Sequence, residues 1–327
     1  MAEIAVPLRR GLSRPALMLI VLAVLALLSA LAFMTLGARG NWSFILSFRG
    51  KKLLGLILVA WSIAVSTVLF QTVTGNRILT PSIMGFDALY VLVQTSLVFF
   101  LGPQVLALLD PQVQFAAKLL LMVGFSTLLF QWLFMGAERS LYLLVLIGIV
   151  FGVFFRSLSN FMQRLLDPNA FQVLQDTLFA SFSRIEPTLL GISLAITLAV
   201  SLILLRMGHA FDVIALGRAT AINLGVPYRR SVMAILVLVA VLVSVSTALV
   251  GPVTFFGLLV ASLAHGIMGT SRHRYLLPGA ALLAVICLVG GQTLLERVFG
   301  FDTALAIIVE FVGGITFIAL VIRGAAR

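Results

Sequence analysis

Ten stretches of this chain, most of them about 20 residues long, are almost wholly apolar, and short basic segments separate them. A bilayer core of about 30 Å takes roughly 20 apolar residues to cross as a helix. The runs fall at Leu17–Leu36, Leu53–Thr74, Ile83–Leu101, Val113–Phe134, Leu141–Phe155, Pro187–Met207, Ser231–Val250, Thr254–Met268, Tyr275–Glu296 and Thr303–Ile322, with the fifth and eighth the shortest. Lipid offers a backbone no hydrogen-bond partner, so runs of this length fold as helices. With 61% hydrophobic and 10% charged residues, the composition is that of a membrane protein. The sequence therefore predicts one all-α polytopic membrane domain over residues 1–327. Arg9, Arg10 and Arg14 precede the first run, which is too long for a signal-peptide core and reads as a retained first span.

The net charge of +11 would suggest a nucleic-acid partner in a soluble chain. Here the cations lie between apolar runs and orient the protein in lipid, so no nucleic acid is expected. With both termini inside, Arg77, Arg139, Arg206, Arg218, Arg229, Arg230, Arg272 and Arg274 fall on the inner face. The outer cluster Arg49–Lys52 opposes that bias. Cys287 stands alone, which excludes a disulfide framework. The chain has no G-x-x-x-x-G-K-[ST] loop, no metal-ligand spacing of His, Asp and Glu, and no nucleophile–base pair. Neither an enzyme nor a directly bound cofactor is expected.

Two extramembrane stretches carry structure. Phe211–Arg230 reads as two short helices: Asp212 in the first turn of one, Gly217 as its stop, then Arg218–Leu224 closed by Gly225 and blocked by Pro227. An ordinary basic loop and an interaction segment fit these residues equally. In the outer stretch Arg156–Glu186, the residues Phe171, Leu174, Leu178 and Phe182 recur at helical spacing and predict an amphipathic helix at the outer surface.

Polar and small residues inside the spans mark sites or seams. Glu310 would cost about 2.5–3.5 kcal/mol facing lipid, so it faces protein or water: a pathway wall or a packing acid. Gln71 and Gln131 read as interhelical hydrogen-bond partners, and Asp87 with Tyr90 as anchors of the third span near the inner surface. Gly148 and Gly152 form G-x-x-x-G in the fifth span, and Gly313 and Gly314 interrupt the tenth. Both pairs suit close helix packing, a widened pathway, or both.

Four separated motifs carry a resemblance. They are ALGRATAINLGV within Phe211–Arg230, QTVTGNRILTPSIMGFD from Gln71 to Asp87, GPVTFFGLL from Gly251 to Leu259, and RHRYLLP from Arg272 to Pro278. In this order they resemble FecCD/BtuC-type permease subunits of ABC importers for iron-siderophores and cobalamin, in the branch that imports catecholate and mixed-ligand siderophores. Three departures stand out: Arg272 replaces an Asp before His-Arg, Ala261–His265 replaces Pro-His-x-x-Arg, and Gly291–Glu296 replaces A-D-x-L-A-R.

The resemblance implies a type II ABC importer permease fold of about ten transmembrane helices, with spans two to five and seven to ten as inverted repeats. It implies a coupling segment, residues 211–226, that docks on a separate ATPase through Asp212, Leu216, Gly217, Ala221, Leu224 and Gly225, with ATP on that subunit. It further implies outer cations (Arg49, Lys52 and Arg297, one residue from the matching position) that receive a periplasmic or lipid-anchored siderophore-binding protein. A translocation path and gate would involve Asn76, Ile78, Gly148, Gly152, Glu310, Gly313 and Gly314, and a second, paralogous permease would complete the pore. The expected setting is the inner membrane of a bacterium, and the expected function ATP-driven alternating access for a ferric siderophore. The alternatives are a haem or cobalamin permease, or an ion-coupled secondary transporter with Glu310 as its proton site.

Overall fold

The computed structural model describes residues 13–38, 40–134, 141–178, 182, 185–300 and 305–325. Arg9, Arg10, Arg139 and Thr303 lie outside them. The described residues form helices α1 (Arg14–Thr35), α2 (Trp42–Thr74), α3 (Phe86–Leu108), α4 (Pro111–Phe134), α5 (Leu141–Leu165), α6 (Pro168–Leu178), α7 (Pro187–Ile214), α8 (Arg218–Asn223), α9 (Tyr228–Val250), α10 (Phe256–Met268), α11 (His273–Val285), α12 (Gly291–Leu294) and α13 (Leu305–Ala325). Two π-helical turns, Ile286–Gly290 and Leu295–Phe299, make α11 and α12 parts of one span. All ten expected spans appear as helices, and among the described residues eight are long and apolar enough to cross a membrane by themselves.

Several boundaries move, mostly because a helix outruns its apolar stretch; α3 and α10 instead begin two or three residues late, after turns that hold Pro81 and Pro252. α2 begins at Trp42, so the Arg49–Lys52 cluster rides on the helix rather than preceding it. α5 continues to Leu165 and is of full length; only the eighth span, α10, is short. Polar Arg156, Ser157 and Asn160 hid the extra turns, since hydropathy reports lipid contact and not helicity. α3 departs from helical geometry at Gly102 (φ 76°, ψ 156°), beside Pro103, where the apolar run also stops. The predicted amphipathic helix is α6, which ends at Leu178 and leaves Phe182 beyond it. It buries Ala170 and Leu174 against Val98 and Leu106 of α3, while Phe171 stays partly exposed.

α2 and α9 pack together at the centre of the bundle. Ser62, Ser66 and Thr67 of α2 and Ser244, Ser246 and Thr247 of α9 are all buried. Small hydroxyl residues let backbones approach in lipid, where apolar contact alone gives helices no reason to associate. Around this pair the contacts repeat: α4 packs on α9 as α11 packs on α2, and α3 packs on α5 as α10 packs on α13. These are the pairings that inverted repeats over spans two to five and seven to ten require. Leucines and phenylalanines left exposed on α1, α4, α5 and α7 face outward from this core.

Candidate functional site: the coupling segment and the turns it reaches

The segment between α7 and α9 is built by two stops. α7 runs on through Asp212 to Ile214, so the first of the two expected short helices is the end of a long one. The chain turns at Gly217 (φ 93°) into α8, which a Schellman motif closes: Val226 N–H donates to Ala221 O and Gly225 N–H to Ile222 O, both at 3.0 Å, with Gly225 at φ 81°. Ala221 is wholly buried beneath the segment, whereas Leu216 is 60% exposed, Ile222 52% and Leu224 61%. Three large apolar side chains thus stand in the open on a short, braced element beyond the membrane spans.

Asp212 has another task than the one its position suggested. At the C-terminal end of α7 a carboxylate gains nothing from that helix's dipole. Its Oδ1 instead accepts the backbone N–H of His273 at 2.8 Å and meets His273 Nδ1 at 2.7 Å. It caps α11 from another helix, because the N-cap residue Arg272, where the resemblance places an Asp, has no acceptor to offer. His273, 3% exposed, extends the link: its Nε2 lies 2.6 Å from Thr72 Oγ1 in the last turns of α2. The end of α7, at the base of this segment, is therefore linked to the first residue of α11 and the last turns of α2.

Just beyond Thr72 lies the expected gate turn. Asn76 Oδ1 accepts the N–H of Ile78 at 2.9 Å, and Gln71 Nε2 donates to Arg77 O at 2.6 Å, so Gln71 ties a turn to its own helix rather than joining two helices. A cleft of about 220 Å³ has Ala215 of the coupling segment on one side and Gly75 and Arg77 of this turn on the other.

Three of the four span glycines, Gly148, Gly152 and Gly313, are packing surfaces. A Cβ on Gly85 would lie 2.8 Å from Gly152 Cα and 3.1 Å from Gly148 O, so the G-x-x-x-G of α5 receives the turn ahead of α3. In the other repeat, a Cβ on Gly313 would lie 2.6 Å from Phe255 Cβ, at the turn ahead of α10. Gly314 has open space. The two turns also meet each other: Thr254 Oγ1 donates to Asp87 Oδ2 at 2.7 Å, and the Thr254 N–H donates to Glu310. Asp87, expected to anchor the inner surface, is buried inside the bundle.

At the outer end the cations are engaged within the chain. Arg49, 8% exposed, donates from Nη1 to the carbonyls of Phe33, Met34 and Leu36 and from Nη2 to that of Gly37, at 2.9–3.2 Å. It thereby satisfies the carbonyl end of α1. Lys52 pairs with Glu296, which also accepts from Gln292 Nε2 at 2.6 Å. The outer cluster was expected to be open to a partner; Arg49 and Lys52 instead brace the end of α1 and the π-helical turn Leu295–Phe299, while Lys51 remains exposed and Arg297, also exposed, lies 3.5 Å from Glu296 Oε2.

Residues 16–323 match the model of the FecCD transport family. The chain belongs to the FecCD transport family. A petrobactin import system permease protein of Bacillus subtilis, YclO, is 47% identical over 91% of this chain and 96% of its own length. A second petrobactin import permease, FatC of Bacillus anthracis, is 37% identical over 84% and 77%. Among solved structures, an inward-facing metal-chelate type ABC transporter superposes with a TM-score of 0.81 at 22% identity, over 94% of this chain and 99% of that one. The last comparison carries the fold: that of a type II ABC importer permease.

For a FecCD chain the sequence marked the segment but not its wiring. His273 stood in plain view in RHRYLLP, yet its acid partner lies 61 positions away and its hydroxyl partner 201. Asp87 and Thr254, 167 apart, were equally unpaired on the page. Each sits just after a proline-containing break, which is the signal that could have joined them.

Proposed function

We propose that this FecCD-family chain is the membrane-spanning permease subunit of an ABC importer that carries a ferric siderophore inward by ATP-driven alternating access. The observation that carries the reading is the segment between α7 and α9: Leu216, Ile222 and Leu224 stand exposed on and beside α8, which Ala221, Gly225 and the Asp212–His273 link hold in place. Exposed apolar side chains on a rigid element suit a hydrophobic socket on a partner. That partner is a separate ATPase subunit, which holds the ATP. Its closing motion reaches α11 and α2 through His273 and Thr72, and from there the turn at Asn76 and Ile78.

The cargo follows the relatives: two permeases of petrobactin import, at 47% and 37% identity, make that siderophore the first to test. On the outer face a periplasmic or lipid-anchored binding protein delivers it, with the exposed charges of Lys51 and Arg297 steering an encounter that Arg49 and Lys52 hold in shape. A second permease, a paralogue, completes the pore in the cytoplasmic membrane of a bacterium.

The docking reading is tested by co-purification of the ATPase with the tagged permease in detergent. Replacing Leu216 and Leu224 together by Asp removes the apolar knobs and leaves the buried Ala221 untouched. Loss of the ATPase from an otherwise intact permease is the expected result; undiminished recovery overturns the docking site.

A further inference from the structure

The two turns that precede α3 and α10 enclose a small cavity between α2 and α9, lined by hydroxyl and apolar side chains together with Asp87. It has about 20 Å³ open to a water-sized occupant, enough for one. Asp87 supplies a buried carboxyl group that accepts hydrogen bonds from Thr254 and Ser82, and no ion pair to it exists among the described residues; Arg156 of α5 acts on it only at a distance, as Asp87 acts on Glu310 of α13.

A count of hydrogens shows what the cavity offers. Thr254 Oγ1 commits its hydrogen to Asp87 Oδ2 at 2.7 Å, Ser66 Oγ to Ile63 O at 3.1 Å, and Ser246 Oγ to Val243 O at 2.9 Å. With their hydrogens committed, these hydroxyls have only lone pairs left to present. Thr80, 2% exposed, also lines the cavity, and its Oγ1 has no hydrogen-bond partner. An acceptor-rich cage with one carboxyl group and room for one small occupant matches a monovalent cation held by hard oxygen ligands, whose charge would offset that of an ionised Asp87. Broken helices of membrane transporters build cation sites in this way, where unwound turns meet inside the bundle.

We propose that Asp87, Thr254, Thr80, Ser66 and Ser246 form a binding site for a Na⁺-sized monovalent cation that pins the two repeats together. The two pinned turns are the ones that lead to the gate at Asn76 and Ile78 and to the packing of Gly313 on Phe255. Occupancy therefore stabilises one arrangement of the repeats, as any ligand does that binds one state better.

The test is thermal unfolding of the purified full-length chain in detergent, with NaCl exchanged for choline chloride at constant ionic strength. The site predicts a saturable rise in Tm with Na⁺ that choline does not reproduce. Asp87→Asn should abolish the response, and Thr80→Val should raise the half-saturating Na⁺ by roughly tenfold, for the loss of one ligand worth about 1.4 kcal/mol. Glu310→Gln, outside the cavity, should keep it. Should Asp87→Asn fail to fold, Thr80→Val and Ser66→Ala carry the test. Equal Tm in both salts, the result expected if the cavity holds only water or if Asp87 is protonated, overturns the site; so does an unaltered Na⁺ response in the cavity variants.

Discussion

The Nδ1 of His273 lies 2.7 Å from Oδ1 of Asp212, and the same oxygen accepts the His273 N–H at 2.8 Å. One carboxylate at the end of α7 thus holds the first residue of α11 by two bonds. Asp212→Ala removes the cap of α11, worth about 1 kcal/mol, and cuts the chain to Thr72 at its origin. The expected outcome is a permease that inserts and binds its ATPase but transports several-fold more slowly at near-normal ATP hydrolysis. Asp212→Asn, which keeps an acceptor, should recover part of the loss. Measuring uptake per ATP hydrolysed separates this coupling role from plain destabilisation.

Gly225 closes α8 in the left-handed region, where a side chain costs about 1–2 kcal/mol. Gly225→Val or Gly217→Val should deform the docking helix while the spans stay inserted. Basal ATPase activity should persist and transport should fall. Normal transport in both variants would remove the segment from the coupling path.

The tenth span offers a paired test of glycine packing. Gly313→Ala drives a methyl group to 2.6 Å from Phe255 Cβ and 3.0 Å from its carbonyl oxygen, whereas Gly314→Ala meets open space within the chain. Overpacking of this kind costs about 1–3 kcal/mol. Thermal unfolding in detergent should show a clearly lowered Tm for the first and little change for the second. Gly85→Ala, aimed at the backbone of Gly152, should behave like Gly313→Ala.

Lys52→Glu places a like charge beside Glu296, and Glu296→Lys does the same beside Lys52. Each single variant should lower the yield of folded protein, and the exchange Lys52→Glu with Glu296→Lys should restore much of it. Lys51→Glu should leave folding intact and slow association of the binding protein, with weaker salt dependence; Arg297→Gln, which removes the charge without repelling Glu296 3.5 Å away, should act in the same direction. Association rates at two ionic strengths, beside thermal unfolding, distinguish the bracing cations from the steering ones.

The spans, the amphipathic helix and the short helix α8 with its glycine stops were legible because each rests on local patterns: runs of apolar residues, helical spacing, glycine and proline stops. What escaped was long-range. Nothing local distinguishes Arg49, which satisfies four carbonyls at the end of α1, from Lys51, which stays exposed two residues on. Asp212 carried a sound expectation about a helix dipole but belonged to another helix, because α7 does not stop where its apolar run does. Gly148 and Gly152 were open between pathway and packing, and only the approach of Gly85 shows which face they present.

The central claim is that motion enters through the coupling segment from a separate ATPase and drives import. The direct measurement is uptake of ferric petrobactin into proteoliposomes holding this permease, its paralogous partner and the ATPase, with the binding protein on one side and ATP on the other. The account predicts accumulation that requires ATP and the binding protein, survives a protonophore, and is lost with Leu216 and Leu224 both replaced by Asp. Uptake that proceeds without ATP and collapses with the proton gradient would contradict it.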